Sequence, residues 1–178
     1  MPVTTNLACA CGTLKVEVEA APIMAVECYC NSCRSAAARI SALSGAPQVA
    51  GEHGGTHYLM YRKDRVRFVA GTEQLGAFRL TPQSHTRRVL ASCCNTPVFA
   101  EFQSGHWLSM YASLWPEAER PPATERTMTS DLEDGTALPA DITNSRTQSL
   151  GFMGKLLLAW VAMGFRVPRV DVPKEIAV

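Results

Sequence analysis

The sequence lacks the features that several common functional classes require. Its 178 residues have no strong charge bias, because 17 basic and 16 acidic side chains leave a net charge of +1 at pH 7. Nucleic-acid surfaces need a basic excess, so we expect no nucleic-acid partner. There is no internal repeat, no glycine-rich phosphate loop and no G-x-S-x-G nucleophile elbow. The sequence therefore gives no support for a repeat protein, a phosphate-binding loop or a serine hydrolase of the nucleophile-elbow type.

Targeting features are also missing. Residues 1–6 contain no basic region followed by an apolar run, so we predict no signal peptide. The cysteine count of seven is odd, which argues against a closed disulfide framework. Unpaired thiols in this number are typical of a reducing compartment, and we predict a cytoplasmic location. The apolar fraction of 47% and the length suit a globular protein with one main core.

Three cysteines fall within one six-residue run, Cys28-Tyr29-Cys30-Asn31-Ser32-Cys33, which we call the knuckle. A tight turn at Asn31 and Ser32 would bring Cys30 and Cys33 together, and Cys28 shares a face with Cys30 if the run enters as a strand. Three thiolates suit Zn²⁺ and leave one tetrahedral position open, as in catalytic zinc sites. Buried thiols, or a disulfide between Cys30 and Cys33, are the alternatives.

Alternation of apolar and polar residues predicts β-strands through most of residues 1–115. The clearest strand is 13–20, where Leu14, Val16 and Val18 alternate with charged side chains. A short helix is predicted over 34–43, directly after the knuckle. Further strands are predicted over residues 23–29, 57–61, 65–70, 75–80, 86–92, 98–102 and 106–114. The pattern predicts a mainly β fold of short antiparallel strands, arranged as a sandwich or layered sheet.

Two later regions have a different composition. Residues 116–149 are rich in proline, serine and threonine and are predicted to form an irregular surface excursion. Residues 150–165 are apolar apart from Lys155, which predicts a helix too short to span a membrane, followed by an extended tail to residue 178. This helix would pack on the domain or on a second subunit, which gives a homodimer through Leu150–Phe165. Attachment to a membrane surface, helped by Arg166 and Arg169, is the alternative.

The order of the cysteine motifs resembles that of a known family. A C-x-C-G at Cys9 and Cys11 precedes an alternating strand, the knuckle follows, and the run Cys94-Asn95-Thr96-Pro97 comes about sixty residues later. This order resembles the glutathione-dependent formaldehyde-activating enzymes, a family that also includes centromere-protein-V-like proteins. The resemblance covers about residues 7–102.

The resemblance implies a β-tent fold with two zinc sites. One is a structural site of four thiolates, and the other is the three-thiolate knuckle, which is regarded as catalytic. Carried over to this sequence, the structural site would use Cys9, Cys11 and Cys94, and the second site would use Cys28, Cys30 and Cys33. The implied reaction joins formaldehyde to glutathione as S-(hydroxymethyl)glutathione, which is a carbon–sulfur lyase activity in the reverse sense.

The late motif departs from the family pattern C-x-x-C-G-T-P. Aligned on the shared Thr-Pro, Ala91 stands where the first cysteine belongs and Asn95 stands where the glycine does. The missing thiolate could be replaced by Cys93 or by His85, or the site could be absent. Neighbouring side chains of an extended chain point in opposite directions, so Cys93 and Cys94 would need a distorted backbone to share a metal. Asn95 is a milder change, because Asn tolerates positive φ.

Three functional classes follow from these residues. The first is a zinc enzyme acting on glutathione or other thiol adducts of a small aldehyde. The second is a non-catalytic zinc-stabilised binding or scaffold module, with His53 or His57 filling the open position. The third is a membrane-peripheral or oligomeric regulator that uses 150–165. Arg87 and Arg88 could pair with a substrate carboxylate, although two basic residues in a strand more often form a solvated face. No catalytic residue is assigned.

Overall fold

Short strands make up most of the structure, a computed structural model that describes residues 3–133 and 136–178. The strands are β1 (Thr4–Ala8), β2 (Lys15–Glu19), β3 (Met24–Cys28), β4 (Thr56–Arg62), β5 (Val66–Ala70), β6 (Leu75–Phe78), β7 (Thr86–Ala91), β8 (Thr96–Phe102), β9 (Trp107–Tyr111), β10 (Glu125–Thr127), β11 (Thr143–Asn144) and β12 (Lys174–Glu175). The helices are α1 (Asn31–Ser41) and α2 (Leu150–Ala162). The predicted mainly β fold with a helix after the knuckle and an apolar C-terminal helix is confirmed.

The strands form two sheets of unequal size. The small sheet has three antiparallel strands in the order β1-β2-β5. The large sheet has nine strands in the order β11-β10-β3-β4-β9-β8-β7-β6-β12. Its central pairs are antiparallel, whereas β10 pairs in parallel with β3 and β11, and β12 pairs in parallel with β6. The centre of the large sheet is therefore built from residues before 115, and later residues extend both of its edges.

The large sheet is covered on both faces, because its strands alternate between two hydrophobic cores. In β4, Leu59 and Tyr61 pack into the core shared with the small sheet. Tyr58 and Met60 point the other way, into a second core that contains residues of both helices. The result is three layers, with the large sheet in the middle.

Helix α1 begins inside the knuckle, three residues before the predicted start. Cys30 is its N-cap, and the Cys30 Sγ accepts the backbone N–H of Cys33 at 3.3 Å. This bond satisfies one of the free N–H groups at the start of a helix, so the thiol acts as serine or aspartate does elsewhere. Ala36, Ala37 and Ile40 then bury the inner face of the helix.

Helix α2 lies across the second core. Its Ser149 N-cap accepts the backbone N–H of Phe152 at 3.0 Å, and Phe152 and Leu156 are buried. The His106 ring contacts the Leu156 carbonyl at 2.8 Å and stacks on Trp160, which holds the helix against the sheet. Within the described residues, no helix has both the length and the apolar character needed to span a membrane.

The segment 116–149, predicted to be irregular, contributes β10 and β11 to the large sheet. Arg126 of β10 is buried and donates from Nε to Glu27 at 3.0 Å and from Nη1 to Asp141 at 2.7 Å. The backbone carbonyl of Thr127 accepts the N–H of Tyr29, inside the knuckle, at 3.0 Å. Local composition missed this strand because its stability comes from pairing with β3, which is distant in sequence.

Candidate metal centres and the adjoining pocket

All seven cysteines are free, and the structure gathers them into two groups that could each hold a metal ion. The first is the surface group, made of Cys9, Cys11, Cys93 and Cys94. The second is the pocket group, made of Cys28, Cys30 and Cys33. Within each group the sulfur atoms all lie within 4.8 Å of one another.

The surface group joins two turns from distant parts of the chain. Cys9 and Cys11 lie in the turn between β1 and β2, where Gly12 has a φ of 77°. Cys93 and Cys94 lie in the turn between β7 and β8. The Thr96 hydroxyl links the two turns, because it accepts the backbone N–H of Ala10 at 3.0 Å.

The turn also explains how two adjacent cysteines can face one site. Residues 92–95 are not extended, so the side chains of Cys93 and Cys94 are not forced to opposite sides. Asn95 closes the turn with a φ of 55°, a left-handed conformation that Asn adopts more readily than most residues. Of the alternatives left open by the sequence, the structure brings in Cys93. His85 precedes β7 at the opposite end of the strand and contacts Gln103 at 3.0 Å.

The sulfur spacings of the surface group match a tetrahedral thiolate site. The Sγ–Sγ distances are 3.5 Å for Cys9–Cys11, 3.3 Å for Cys11–Cys93 and 3.8 Å for Cys93–Cys94. A tetrahedron with metal–sulfur bonds of about 2.3 Å has edges of about 3.8 Å. Interaction with the Thr13 hydroxyl lowers the pKa of Cys11 to about 6, which favours the thiolate that binds metals.

The pocket group is built from the end of a strand and the start of a helix. Cys28 is the last residue of β3, Cys30 caps α1, and Cys33 lies in the first turn of α1. Partial positive charge at a helix N-terminus favours thiolates at this place. The strand-and-turn geometry predicted for the knuckle is therefore close to what forms, with the helix supplying the turn.

Three thiols this close cannot all ionise unless a cation lies among them. The neighbouring Cys28 and Cys33 thiols, with the backbone N–H of Cys33 and the charge of Arg88, lower the pKa of Cys30. The hydrogen bonds of Cys28 to Cys30 and Cys33, and then its burial, raise the pKa of Cys28. A divalent cation would reverse this competition, because a coordinated thiol gives up its proton. The donor set of the pocket group therefore fits a metal.

The pocket group faces a cavity of about 460 Å³ between the large sheet and α2. The walls are mainly apolar, which is typical of small-molecule sites. One wall is formed by Ser32 and the three cysteines of the pocket group. Strands before residue 115 contribute Val26, Tyr58, Met60, Thr86, Arg88, Ala100, Phe102, Trp107 and Ser109. Later residues contribute Thr127, Met128, Gln148, Phe152, Met153 and Leu156.

Two polar side chains that line the pocket, Tyr58 and Arg88, were not assigned to the site from the sequence. Tyr58 donates its hydroxyl to the Cys33 Sγ at 3.7 Å, and burial raises the pKa of Tyr58, so the hydroxyl stays protonated. Arg88 is 1% exposed, which overturns its interpretation as part of a solvated face. The alternation of side chains along a strand could have identified Arg88 as buried, because Arg88 shares a face of β7 with Leu90, a residue of the second core.

Neither histidine considered for the open position joins the pocket group. Among the described residues, the only members of that group are the three cysteines. His57 pairs with Glu27 across β3 and β4, on the opposite face of the strand from Tyr58. His53 lies in the turn before β4. The pocket group is thus bordered by the cavity and not by an imidazole.

Comparisons with known proteins identify a family and little else. The model of a family of unknown function (DUF6151) matches residues 1–114. No curated protein matches the chain. Among solved structures, a crystal structure of a Rhodobacter sphaeroides protein is similar with a TM-score of 0.45 and 18% identity, and the match covers 64% of this chain and 89% of that chain. A likeness at this level carries no functional argument.

Proposed function

The chain belongs to a family of unknown function (DUF6151), and from that premise we propose that it is a zinc protein that acts on small thiols. The surface group would hold a structural zinc, and the pocket group a second, reactive zinc. The observation that carries the proposal is the position of the pocket group, whose three thiols form one wall of a cavity large enough for a small molecule.

The choice of zinc rests on the donor atoms. Sites made only of thiolates favour soft or borderline cations such as Zn²⁺, whereas Mg²⁺ and Ca²⁺ prefer oxygen ligands. Four thiolates complete a structural site, and three leave a position that an incoming ligand can take. Bound in the pocket group, zinc would accept the sulfur of an incoming thiol and favour its ionised form.

The reaction that this arrangement supports best is addition of a thiol to a small aldehyde, or the reverse cleavage. The thiol loses its proton, its sulfur forms a bond to the carbonyl carbon, and the carbonyl oxygen gains a proton, so the product is a hemithioacetal and no redox partner is needed. The Tyr58 hydroxyl is the group we assign to hydrogen-bond the oxygen, because it is protonated and lines the pocket, and it would turn its single proton from the Cys33 Sγ to that oxygen. Glutathione is a candidate thiol, and carbon–sulfur lyase is the corresponding class.

Zinc content per chain tests the metal half of the proposal. Elemental analysis would be made on the wild type, on Cys28→Ala/Cys30→Ala/Cys33→Ala and on Cys94→Ala, all purified without added metal. We expect two zinc ions in the wild type and the loss of one in the triple variant. A single zinc that survives the triple substitution would leave the pocket group without metal and would remove the basis of the proposed reaction.

Turnover tests the chemical half. Wild type and the triple variant would be compared for formation of S-(hydroxymethyl)glutathione from glutathione and formaldehyde, with the spontaneous reaction subtracted. We expect a rate above background that the triple variant lacks. Two bound zinc ions with no excess rate for glutathione or other thiols would favour the alternative, a zinc-stabilised binding module.

The exposed face of α2 bears on assembly. Leu150, Leu157 and Leu158 are 92%, 54% and 70% exposed, so the helix has an apolar side that the described residues leave uncovered. The homodimer through Leu150–Phe165 stays a prediction, which light scattering on the full chain can check. The cytoplasmic location also stays a prediction.

A further inference from the structure

Arg88 is a buried cation whose hydrogen bonds are only partly used. Its Nη2 donates to the Ser32 carbonyl at 3.2 Å and to the Ser32 Oγ at 2.7 Å. Its Nε and Nη1 are buried and have no hydrogen-bond partner among the described residues. The hydroxyl of Tyr111, which lies beside Arg88, is buried as well. Buried polar groups in folded proteins are almost always paired, so these donors indicate a missing acceptor.

No carboxylate among the described residues supplies that acceptor. The pocket is lined by Arg88 and by no aspartate or glutamate. The neighbouring residue, Arg87, shows the ordinary solution, because it forms an ion pair with Glu101 on the other face of β7. An unpaired guanidinium that is removed from water is costly, and an arginine kept in this state normally has an anionic partner at some stage.

The cysteines of the pocket group do not fill this role. Their sulfur atoms accept no hydrogen bond from Nε or Nη1 of Arg88, so the guanidinium acts on them only through space. Its two bonds to Ser32, the residue before Cys33, fix the guanidinium directly beside the knuckle. The guanidinium is thus held in position at the wall of the pocket.

We propose that Arg88 binds a carboxylate of the substrate, so that the pocket selects small thiols that carry a carboxylate a few bonds from the sulfur. The thiol part of this inference rests on the proposed function, whereas the carboxylate part rests on the pocket alone. Because Arg88 is hydrogen-bonded to Ser32, which lies between Cys30 and Cys33, a ligand whose sulfur reaches the thiols has its charge close to Arg88. The apolar walls at Met60, Phe152 and Leu156 suit the carbon chain between the two groups.

The first test compares thiols of similar size and different charge on the wild-type protein. The probes are 3-mercaptopropionate, 2-mercaptoethanol and cysteamine, with binding followed by calorimetry at fixed pH and ionic strength. We expect the carboxylate to bind about 10- to 100-fold more tightly than the neutral thiol, as a charge-assisted hydrogen bond to arginine would give, and the amine to bind most weakly. Equal affinities for the three thiols would overturn the inference.

A second test removes the guanidinium. Arg88→Gln should abolish the preference for 3-mercaptopropionate over 2-mercaptoethanol, and Arg88→Lys should keep part of it. Arg87→Gln is the matched control, since it removes the same charge from the neighbouring position outside the pocket. If Arg88→Gln keeps the preference, or if Arg87→Gln loses it equally, Arg88 is not the carboxylate-binding residue.

A third probe separates this inference from the proposed thiol chemistry. Butyrate has the carboxylate and the carbon chain but no sulfur, and its binding is followed by ligand-observed NMR. Butyrate that binds wild type and Arg87→Gln, and fails to bind Arg88→Gln, supports the carboxylate site even if no thiol reacts. No difference between wild type and Arg88→Gln would contradict it even if the thiol reaction occurs.

Discussion

The two cysteine groups differ in how much chain they connect. In the surface group, Cys9 and Cys93 are 84 residues apart, and they link the small sheet to the β7–β8 turn. In the pocket group, all three cysteines come from one short run at the start of α1. The surface group includes two exposed thiols, Cys11 and Cys93, whereas the pocket group adjoins a cavity with a buried cation.

Because of this difference, we expect the surface group to contribute mainly to the stability of the fold and the pocket group mainly to chemistry. A cross-link that closes a loop of about 85 residues stabilises a fold by about 4.5 kcal/mol, against about 2 kcal/mol for a loop of about six, on the chain-entropy arithmetic used for disulfides. A metal in the surface group would therefore stabilise the fold far more than one in the pocket group. The pocket group, in return, has the adjoining space that a reaction needs.

The largest expected effect comes from breaking the surface group. Cys9→Ser/Cys93→Ser should remove one zinc and lower the free energy of unfolding by about 4 kcal/mol or more, because the long cross-link is lost. Urea unfolding with parallel zinc analysis measures both quantities. A double variant as stable as the wild type would show that this group carries no structural role.

Breaking the pocket group should cost less. Cys28→Ala/Cys30→Ala/Cys33→Ala should lower the free energy of unfolding by about 3 kcal/mol, of which about 2 kcal/mol comes from the short cross-link and about 1 kcal/mol from the lost N-cap of α1. It should also abolish thiol binding. The Cys9→Ser/Cys93→Ser variant should keep thiol binding under conditions where it remains folded. The comparison fails if the pocket variant is the less stable of the two.

A smaller effect is expected at the contact between β10 and the knuckle. Arg126→Gln removes a buried guanidinium from Glu27 and Asp141, and we expect a loss of about 1–2 kcal/mol, because the Asp141 side chain is 61% exposed and the pair is screened. Thiol affinity should fall as well, since β10 carries Thr127, which lines the cavity. Arg67→Gln is the control, because the Arg67 side chain is 61% exposed. This substitution should change neither the free energy of unfolding nor the thiol affinity measurably. Equal losses in the two variants would argue against a role for Arg126 beyond surface charge.

The smallest effect is local to the surface group. Asn95→Ala should cost about 1 kcal/mol, because the φ of 55° disfavours a residue with a Cβ and no compensating polar side chain. The Asn95 side chain also donates to the Ser44 carbonyl at 3.0 Å. Asn95→Gly should recover part of the loss, and thermal unfolding of the two variants provides the check. A more stable Asn95→Ala would contradict this account of the turn.

The sequence predicted the parts of the fold that depend on local pattern. The alternation of Leu14, Val16 and Val18 places all three in the core under the small sheet. The apolar run after Ser149 forms α2. The family resemblance implied two cysteine groups, and the structure brings both together, with Cys93 beside Cys94.

Features that depend on distant contacts were not accessible in this way. β10 exists because Thr127 pairs with Cys28, about a hundred residues earlier, and composition alone favours a loop there. Strand alternation places Arg88 and Arg87 on opposite faces of β7, but the burial of Arg88 and the pairing of Arg87 with Glu101 depend on residues distant in sequence. Even the start of α1 depends on Cys30, whose thiol replaces the usual cap.

One consequence concerns how such a pocket could diversify. The family match ends at residue 114, whereas Thr127, Met128 and Phe152, which line the cavity, come later. The seven cysteines and Arg88 lie in the matched region, whereas one wall of the cavity is formed by residues outside it. Exchange of the segment after 114 between family members would change which molecules fit while leaving the reactive atoms intact. Selection could therefore adjust which molecules the cavity accepts without altering either cysteine group.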